Sequence, residues 1–289
     1  MKKVKTKNGI LWFYLIDAVL LVVLFLALIP FKDKNSPEQK TTALLNPNYK
    51  EKVAAVKIST PLENGKRTSV TIVKRGDFFL GTDSATENKF IWPADLQSVV
   101  NLIETASEIQ TINKVADSVT SWKNFNVDEK KSTQVIFYDE KGIELSNLFF
   151  GSTNALNGKT AFRTSAEQTV WEGNETIEPY LTTKVSFWAD CFIYPQIVST
   201  YSRKESESLL RRGEISNLIP PEDLKPDFVF KKEFENGNTA VYRIYSKEND
   251  YIVIPEFKAY DSKYKELFNS INYRYSISSW TFSKFQELF

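Results

Sequence analysis

An unbroken apolar segment near the amino terminus constrains this chain more than any other feature. From Ile10 to Ile29 the sequence reads ILWFYLIDAVLLVVLFLALI, and Asp17 is the only charged residue in it. A helix of this length, at about 1.5 Å per residue, spans roughly 30 Å, the thickness of the hydrocarbon core of a bilayer. We therefore predict a transmembrane anchor over residues 10–31, preceded by a cytoplasmic tail of residues 1–9.

The charges on either side of the apolar segment predict its orientation. The segment that follows it, FKDKNSPEQK, is mixed in charge, whereas four lysines precede it: Lys2, Lys3, Lys5 and Lys7. Positive residues accumulate on the cytoplasmic side of membrane proteins. The amino terminus is therefore expected inside and the body outside the cytoplasmic (inner) membrane, in a periplasm or at a Gram-positive exterior.

A cleaved signal peptide is the alternative interpretation of this segment. Signal peptides have shorter apolar regions, of about 7–15 residues, and small residues at an A-x-A cleavage site. The sequence ALIPF has no such site, so an uncleaved anchor is favoured. Asp17 costs about 2.5–3.5 kcal/mol at the centre of a membrane helix. It either contacts a membrane helix of a partner or shifts toward the interface, and both interpretations stay open.

The composition excludes several classes of site. The chain has no histidine, which excludes Ser-His-Asp hydrolases and His-ligated metal centres. Its one cysteine, Cys191, excludes an intrachain disulfide and a cysteine zinc ribbon. Of 37 basic residues, four precede the anchor, and the remaining chain is slightly acidic, which argues against nucleic-acid binding.

The body is expected to have an α+β fold of about three related units, each with antiparallel strands and a helix. Residues 32–50 are rich in polar residues and contain two prolines, which predicts a linker. The three units follow at 51–120, 121–200 and 201–289. Alternating, β-branched segments predict the strands, for example TSVTIV and TAVYRIY.

The clearest helix of the body is predicted after Phe90. Pro93 suits the first turn of a helix, because the first N–H groups have no intrahelical partner. Apolar residues then recur at helical spacing and predict one face that packs on a core: Leu96, Val99, Val100, Ile103, Ala106 and Ile109.

No motif identifies a catalytic, cofactor-binding or metal-binding residue. The segment from Gly151 to Thr160 is similar to a phosphate-binding loop, but six residues separate its glycines and a strand follows, which predicts a hairpin loop. Arg211 and Arg212 form a local basic patch. A solvated helix is the favoured interpretation, and contact with lipid headgroups or an acidic partner is the other. Asp17, Arg211 and Arg212 are thus the candidate partner contacts.

Two segments resemble the domain-of-unknown-function 4340 family. They are FIWPADLQSVVNLIETASEI and SWKNFNVDEKKSTQVIFYDEKGIELSNLFFGSTNALNGKTAFRTSAEQTVW. The resemblance covers roughly residues 10–200 and implies a membrane anchor followed by repeated α+β units. It also implies association with gliding-motility-type ABC transport systems, beside an ATPase, a permease and a second extracytoplasmic subunit. It implies no catalytic residues.

The expected function is therefore that of a non-catalytic auxiliary subunit of an ABC-type membrane transport complex, with no cofactor. Its body would bind partner subunits or cargo outside the membrane. The alternative is a cell-envelope enzyme that hydrolyses glycan or peptidoglycan with carboxylates alone, since the spacing of two carboxyl groups cannot be read from sequence. A sensor is disfavoured, because nine cytoplasmic residues leave no room for an output domain.

Overall fold

Two antiparallel sheets with short helices form the body in a computed structural model of the chain. The structure describes residues 20–21, 38–85, 90–173, 176–192, 195–199, 214–215, 225–248 and 250–287. Within those ranges no helix has both the length and the apolar character needed to cross a bilayer. The predicted anchor lies outside the described residues except for Leu20 and Leu21.

The larger sheet has ten strands in the spatial order β1-β6-β10-β9-β8-β7-β2-β3-β4-β5, and every pair of neighbours is antiparallel. The strands are β1 (Gln39–Thr42), β2 (Ala55–Pro61), β3 (Arg67–Arg75), β4 (Phe78–Asp83), β5 (Trp92–Pro93), β6 (Gln110–Ala116), β7 (Thr133–Tyr138), β8 (Glu144–Thr153), β9 (Thr160–Thr164) and β10 (Val170–Gly173). Because β2 pairs with both β3 and β7, strands from the segments 51–120 and 121–200 share one sheet.

The smaller sheet has five strands in the order β11-β15-β14-β13-β12. They are β11 (Glu214–Ile215), β12 (Phe228–Glu233), β13 (Thr239–Lys247), β14 (Asp250–Lys258) and β15 (Tyr275–Ser278). The described α-helices are α1 (Leu96–Ser107), α2 (Val185–Trp188), α3 (Lys265–Ser270) and α4 (Ser279–Glu287). The described 3₁₀ helices cover Pro47–Lys52, Val119–Ser121, Glu178–Tyr180 and Ser262–Tyr264.

Both sheets contribute to one hydrophobic core. Along β3, Val70 and Ile72 are fully buried while Ser69, Thr71 and Val73 are only partly buried, which is the period of two expected for a strand with one packed face. The largest fully buried side chains come from both sheets and the connections between them: Trp92, Phe137, Phe150, Trp188, Tyr242 and Tyr275. The residues Gln39–Phe289 accordingly form one compact unit.

The linker prediction for residues 32–50 is wrong for its carboxyl-terminal part. Strand β1 pairs with β6, and Pro47 begins a 3₁₀ helix in which the Asn46 side chain accepts the Asn48 N–H at 3.0 Å. Leu45 is fully buried and donates its backbone N–H to the Ala106 carbonyl at 2.7 Å. Burial of the two adjacent leucines, Leu44 and Leu45, fixes this polar segment to the body.

The helix predicted after Phe90 is confirmed, but both of its ends differ from the prediction. Pro93 lies in β5, opposite Leu80, and the helix begins at Leu96 after Asp95, whose side chain accepts the Ser98 N–H at 3.1 Å. An acidic residue at this position is a stronger start signal than proline, because it satisfies an otherwise unpaired N–H. The helix ends at Ser107, so Ile109 lies beyond it and is 69% exposed.

Candidate functional site

The tip of the β3–β4 hairpin lies beside three cavities, and this region is the candidate functional site. The hairpin has a two-residue turn, Gly76-Asp77, between paired Arg75 and Phe78. Gly76 has a φ of +63°, which glycine adopts without the steric cost that a side chain adds. Glycine is also the residue that a type II′ hairpin turn takes at this position.

The first cavity, about 390 Å³, lies between helix α1, the hairpin and the 3₁₀ helix of residues 47–52. Its apolar side is formed by Val53, Phe79 and three residues of α1, Leu96, Val100 and Ile103. These three follow the i, i+4, i+7 spacing of one helix face. Leu96 is 37% exposed, so part of the apolar surface remains accessible to a ligand.

Charged side chains surround this apolar surface. Lys50 donates to Glu104 at 3.0 Å across the rim, and Glu51, Lys74 and Asp77 complete it. The rim therefore carries both signs of charge, with one more carboxylate than ammonium group. An apolar floor with a polar rim is the usual composition of a protein-binding site.

The second cavity, about 190 Å³, shares Asp77, Phe79 and Leu96 with the first. Its remaining lining is mostly apolar: Phe78, Pro93, Ala94, Gln196 and Ile197. Because they share these residues, the two cavities are adjacent, and we call them together the Asp77 groove. The Asp77 carboxylate is the one charged group that lines both halves.

Asp77 is held by residues from the carboxyl-terminal part of the chain. The Tyr264 hydroxyl donates to Asp77 Oδ2 at 2.6 Å, and Lys263 Nζ lies 3.8 Å from the same oxygen. The Tyr264 ring also contacts Phe78 edge-on, with 5.5 Å between the ring centroids. The hydrogen bond from Tyr264, with a smaller contribution from the Lys263 charge, lowers the pKa of Asp77 below its ordinary value. The carboxylate therefore remains ionised at neutral pH.

The third cavity, about 370 Å³, lies on the other side of the turn and is lined by Arg75, Gly76, Tyr264 and helix α3. A further cavity of about 510 Å³ lies at the opposite end of the larger sheet, beside Leu62 and Gly151. Its lining is mainly polar and includes Lys130 and Lys131. The Asp77 groove differs from this cavity in having an apolar floor.

The structure does not describe the candidate residues named from the sequence. Asp17, Arg211 and Arg212 lie outside the described residues. The groove residues Leu96 and Val100 were instead assigned to the core, because helical spacing does not distinguish two adjacent apolar stripes. The available signal was the width of the apolar stripe of α1, which includes Leu96 and Val100 beside the fully buried Val99 and Leu102.

Within the described part of the chain, no group of three or more acidic or cysteine side chains is placed to hold a metal ion. Comparisons with models of protein families, with curated proteins and with solved structures found no match.

Proposed function

We propose that the chain is a non-catalytic auxiliary subunit of an ABC-type transport complex in the cytoplasmic membrane. In this proposal residues 10–31 anchor the chain, and a body of about three related α+β units binds a partner protein outside the membrane. The observation that carries the proposal is the Asp77 groove, whose apolar floor and mixed-charge rim suit a protein surface. The resemblance of residues 10–200 to membrane-anchored components of such complexes gives the kind of assembly.

The apolar segment from Ile10 to Ile29 supports the membrane part of the proposal. Its length matches the bilayer, and the four preceding lysines favour an orientation that leaves the groove outside the cytoplasm. In this proposal the body lies outside the cytoplasm, and the partner ATPase carries out the ATP-dependent steps. The body then contributes recognition alone.

The carboxylate-hydrolase alternative receives no support from the groove. Glycoside hydrolysis needs one carboxylic acid whose pKa is raised, so that it can donate a proton near neutral pH. The pKa of Asp77 is lowered by the hydrogen bond from Tyr264 and the charge of Lys263. Glu104, on the same groove, is paired with Lys50 at 3.0 Å. These carboxylates are therefore suited to accept cationic or N–H groups.

The experiment that tests the proposal is purification of tagged full-length protein from its native membrane in mild detergent, followed by mass spectrometry. We expect a multi-span permease and an ATPase to copurify in defined stoichiometry. Recovery of the chain alone, also after chemical cross-linking, would contradict the proposal. A tagged single-pass protein of the same membrane serves as the control for non-specific recovery.

A further inference from the structure

The cavity of about 510 Å³ beside Leu62 and Gly151 shares no lining residue with the Asp77 groove. Its volume falls within the range of about 300–1,000 Å³ that is typical of small-molecule sites. Most of its lining residues have polar or charged side chains: Glu63, Asn126, Lys130, Lys131, Thr133 and Ser152. The size and the lining therefore suit a small polar ligand.

Two ammonium groups at this cavity have no counter-ion within the described part of the chain. Lys130 and Lys131 are consecutive and exposed, and neither forms an ion pair with a described residue. Glu63 is the one carboxylate of the lining, and it too forms no ion pair among the described residues. Two ammonium groups against one carboxylate leave the lining with an excess of positive charge. An anion bound there gains charge-assisted hydrogen bonds, which are stronger than those between neutral groups.

The backbone that carries the two lysines is held in place from two sides. The Asp128 side chain accepts the Lys130 N–H at 3.0 Å, and the Asp128 carbonyl accepts the Lys131 N–H at 3.2 Å. From β3, Arg67 Nη2 donates to the Ser132 carbonyl at 2.9 Å. Because this turn is already ordered, less conformational entropy is lost when a ligand binds to it.

Two hydroxyl groups add hydrogen-bond donors to the same cavity. The Ser152 hydroxyl oxygen accepts from Asn126 Nδ2 at 2.6 Å, so its own hydrogen is left to donate to another acceptor. The Thr133 hydroxyl has no hydrogen-bond partner among the described residues. The Ser152 backbone N–H already donates to the Phe125 carbonyl at 3.1 Å, so this amide cannot bind an anion as the amides of a phosphate-binding loop do. The available donors are therefore side chains.

We infer that this cavity binds a phosphate monoester through the ammonium groups of Lys130 and Lys131 and the hydroxyl groups of Thr133 and Ser152. A phosphate monoester carries a charge of about −1.5 to −2 at pH 7 and three strong acceptor oxygens. A carboxylate has a single charge and two oxygens, so it matches two ammonium and two hydroxyl groups less well. A soluble ester and a phospholipid headgroup present the same chemistry. The inference does not depend on the proposed function, because it uses neither the anchor nor the Asp77 groove.

The test uses the full-length protein in phosphatidylcholine nanodiscs and isothermal titration calorimetry at constant ionic strength. The probe is glycerol 3-phosphate, and the comparison is glycerate, a carboxylate of similar size. We expect saturable binding of glycerol 3-phosphate and at least about tenfold weaker binding of glycerate, because the carboxylate loses charge-assisted hydrogen bonds. Absence of saturable binding of glycerol 3-phosphate up to about 1 mM, or equal binding of both compounds, overturns the inference.

Variants of the lining locate the binding site. Lys130→Gln combined with Lys131→Gln should weaken binding of glycerol 3-phosphate at least about tenfold, because two charge-assisted hydrogen bonds are lost. Lys123→Gln combined with Lys141→Gln is the matched control. It makes the same change of charge at two exposed lysines that do not line the cavity, so binding should be unchanged. Equal weakening by the two pairs would mean that only the net charge of the protein matters and would contradict the site.

Acetylation of lysines, measured by mass spectrometry, distinguishes a soluble ester from a lipid headgroup. A soluble ligand predicts that glycerol 3-phosphate protects Lys130 and Lys131 relative to Lys123, and that phosphatidic acid in the nanodisc does not. A lipid ligand predicts protection by phosphatidic acid without any added ester. Either result supports a phosphate site. Labelling of Lys130 and Lys131 that neither compound lowers relative to Lys123 overturns the inference.

Discussion

At the scale of single residues, the guanidinium of Arg163 is a buried charge held between aromatic rings. Arg163 is only 3% exposed. Its Cζ atom lies 3.8 Å from the ring centroid of Trp122 and 3.9 Å from that of Phe149. Arg163 Nε donates to the Val127 carbonyl at 2.9 Å, and Nη1 donates to the Thr164 carbonyl. Burial lowers the pKa of Arg163, yet two aromatic faces and two carbonyl groups stabilise the charged form.

We expect Arg163→Lys to destabilise the protein by about 2 kcal/mol or more, because an ammonium group cannot stack on two rings and donate in the same fixed geometry. Arg243→Lys is the matched control. Arg243 pairs with Glu256 at 2.8 Å but is 41% exposed, so its replacement should cost less than about 1 kcal/mol. Urea denaturation followed by tryptophan fluorescence gives both free energies of unfolding. Equal costs for the two substitutions would show that the stacked geometry contributes nothing.

A second prediction at this scale concerns the Asp77 carboxylate. Tyr264→Phe removes the hydroxyl group that stabilises the ionised form, so the pKa of Asp77 should rise toward its ordinary value. In the unchanged protein this hydrogen bond stabilises the fold at pH values above the ordinary pKa, and the contribution disappears as the pH falls through the lowered pKa. A carboxyl-carbon NMR titration of both proteins measures the two midpoints. An unchanged midpoint would mean that Lys263, rather than Tyr264, controls the carboxylate.

At the scale of elements, the sequence was sufficient where one local pattern determines the structure. The alternating segments TSVTIV and TAVYRIY lie in β3 and β13, and the loop predicted within Gly151–Thr160 connects β8 to β9, although β8 continues to Thr153 and β9 begins at Thr160. Helix α1 was predicted correctly as a helix, but its first and last residues were not, because the capping carboxylate of Asp95 determines where it begins. The groove could not be predicted, since Leu96 and Val100 differ from core residues only in what packs beside them.

A further prediction compares a buried residue of α1 with an apolar residue that lies just beyond the end of the helix. Leu102 is fully buried, so Leu102→Ala should destabilise the protein by about 2–5 kcal/mol through lost contacts and a cavity. Ile109 has the spacing of a core residue but is exposed beyond the end of the helix. Ile109→Ala should therefore change the free energy of unfolding by less than about 0.5 kcal/mol. Thermal unfolding monitored by circular dichroism measures both, and a large loss for Ile109→Ala would place it in the packed face.

At the scale of the whole molecule, the pairings that close the sheets join residues far apart in sequence. Strand β1 pairs with β6, about seventy residues later in the chain, and the bridge between Ile91 and Asn272 connects the two halves of the body. Such pairings depend on the burial of both strands in one core rather than on a local sequence pattern, so β-strand propensity does not predict them. The contact between Tyr264 and Asp77 is also long-range, so no local sequence pattern indicated that these residues meet.

The amino-terminal edge of the body provides the prediction for the molecule as a whole. A chain beginning at residue 38 retains β1, Leu44 and Leu45, whereas a chain beginning at residue 51 loses them. Burying each leucine contributes about 1.5–3 kcal/mol, so the shorter chain should be less stable by at least about 3 kcal/mol. Loss of the hydrogen bond from the Leu45 N–H to Ala106 should also loosen the end of α1, beside the groove. Urea denaturation of the two chains measures the difference, and hydrogen exchange of α1 measures the loosening. Equal stability of the two chains would mean that residues 38–50 are a linker. The expected loss of stability would mean that this segment packs against helix α1 and stabilises the groove that the helix lines.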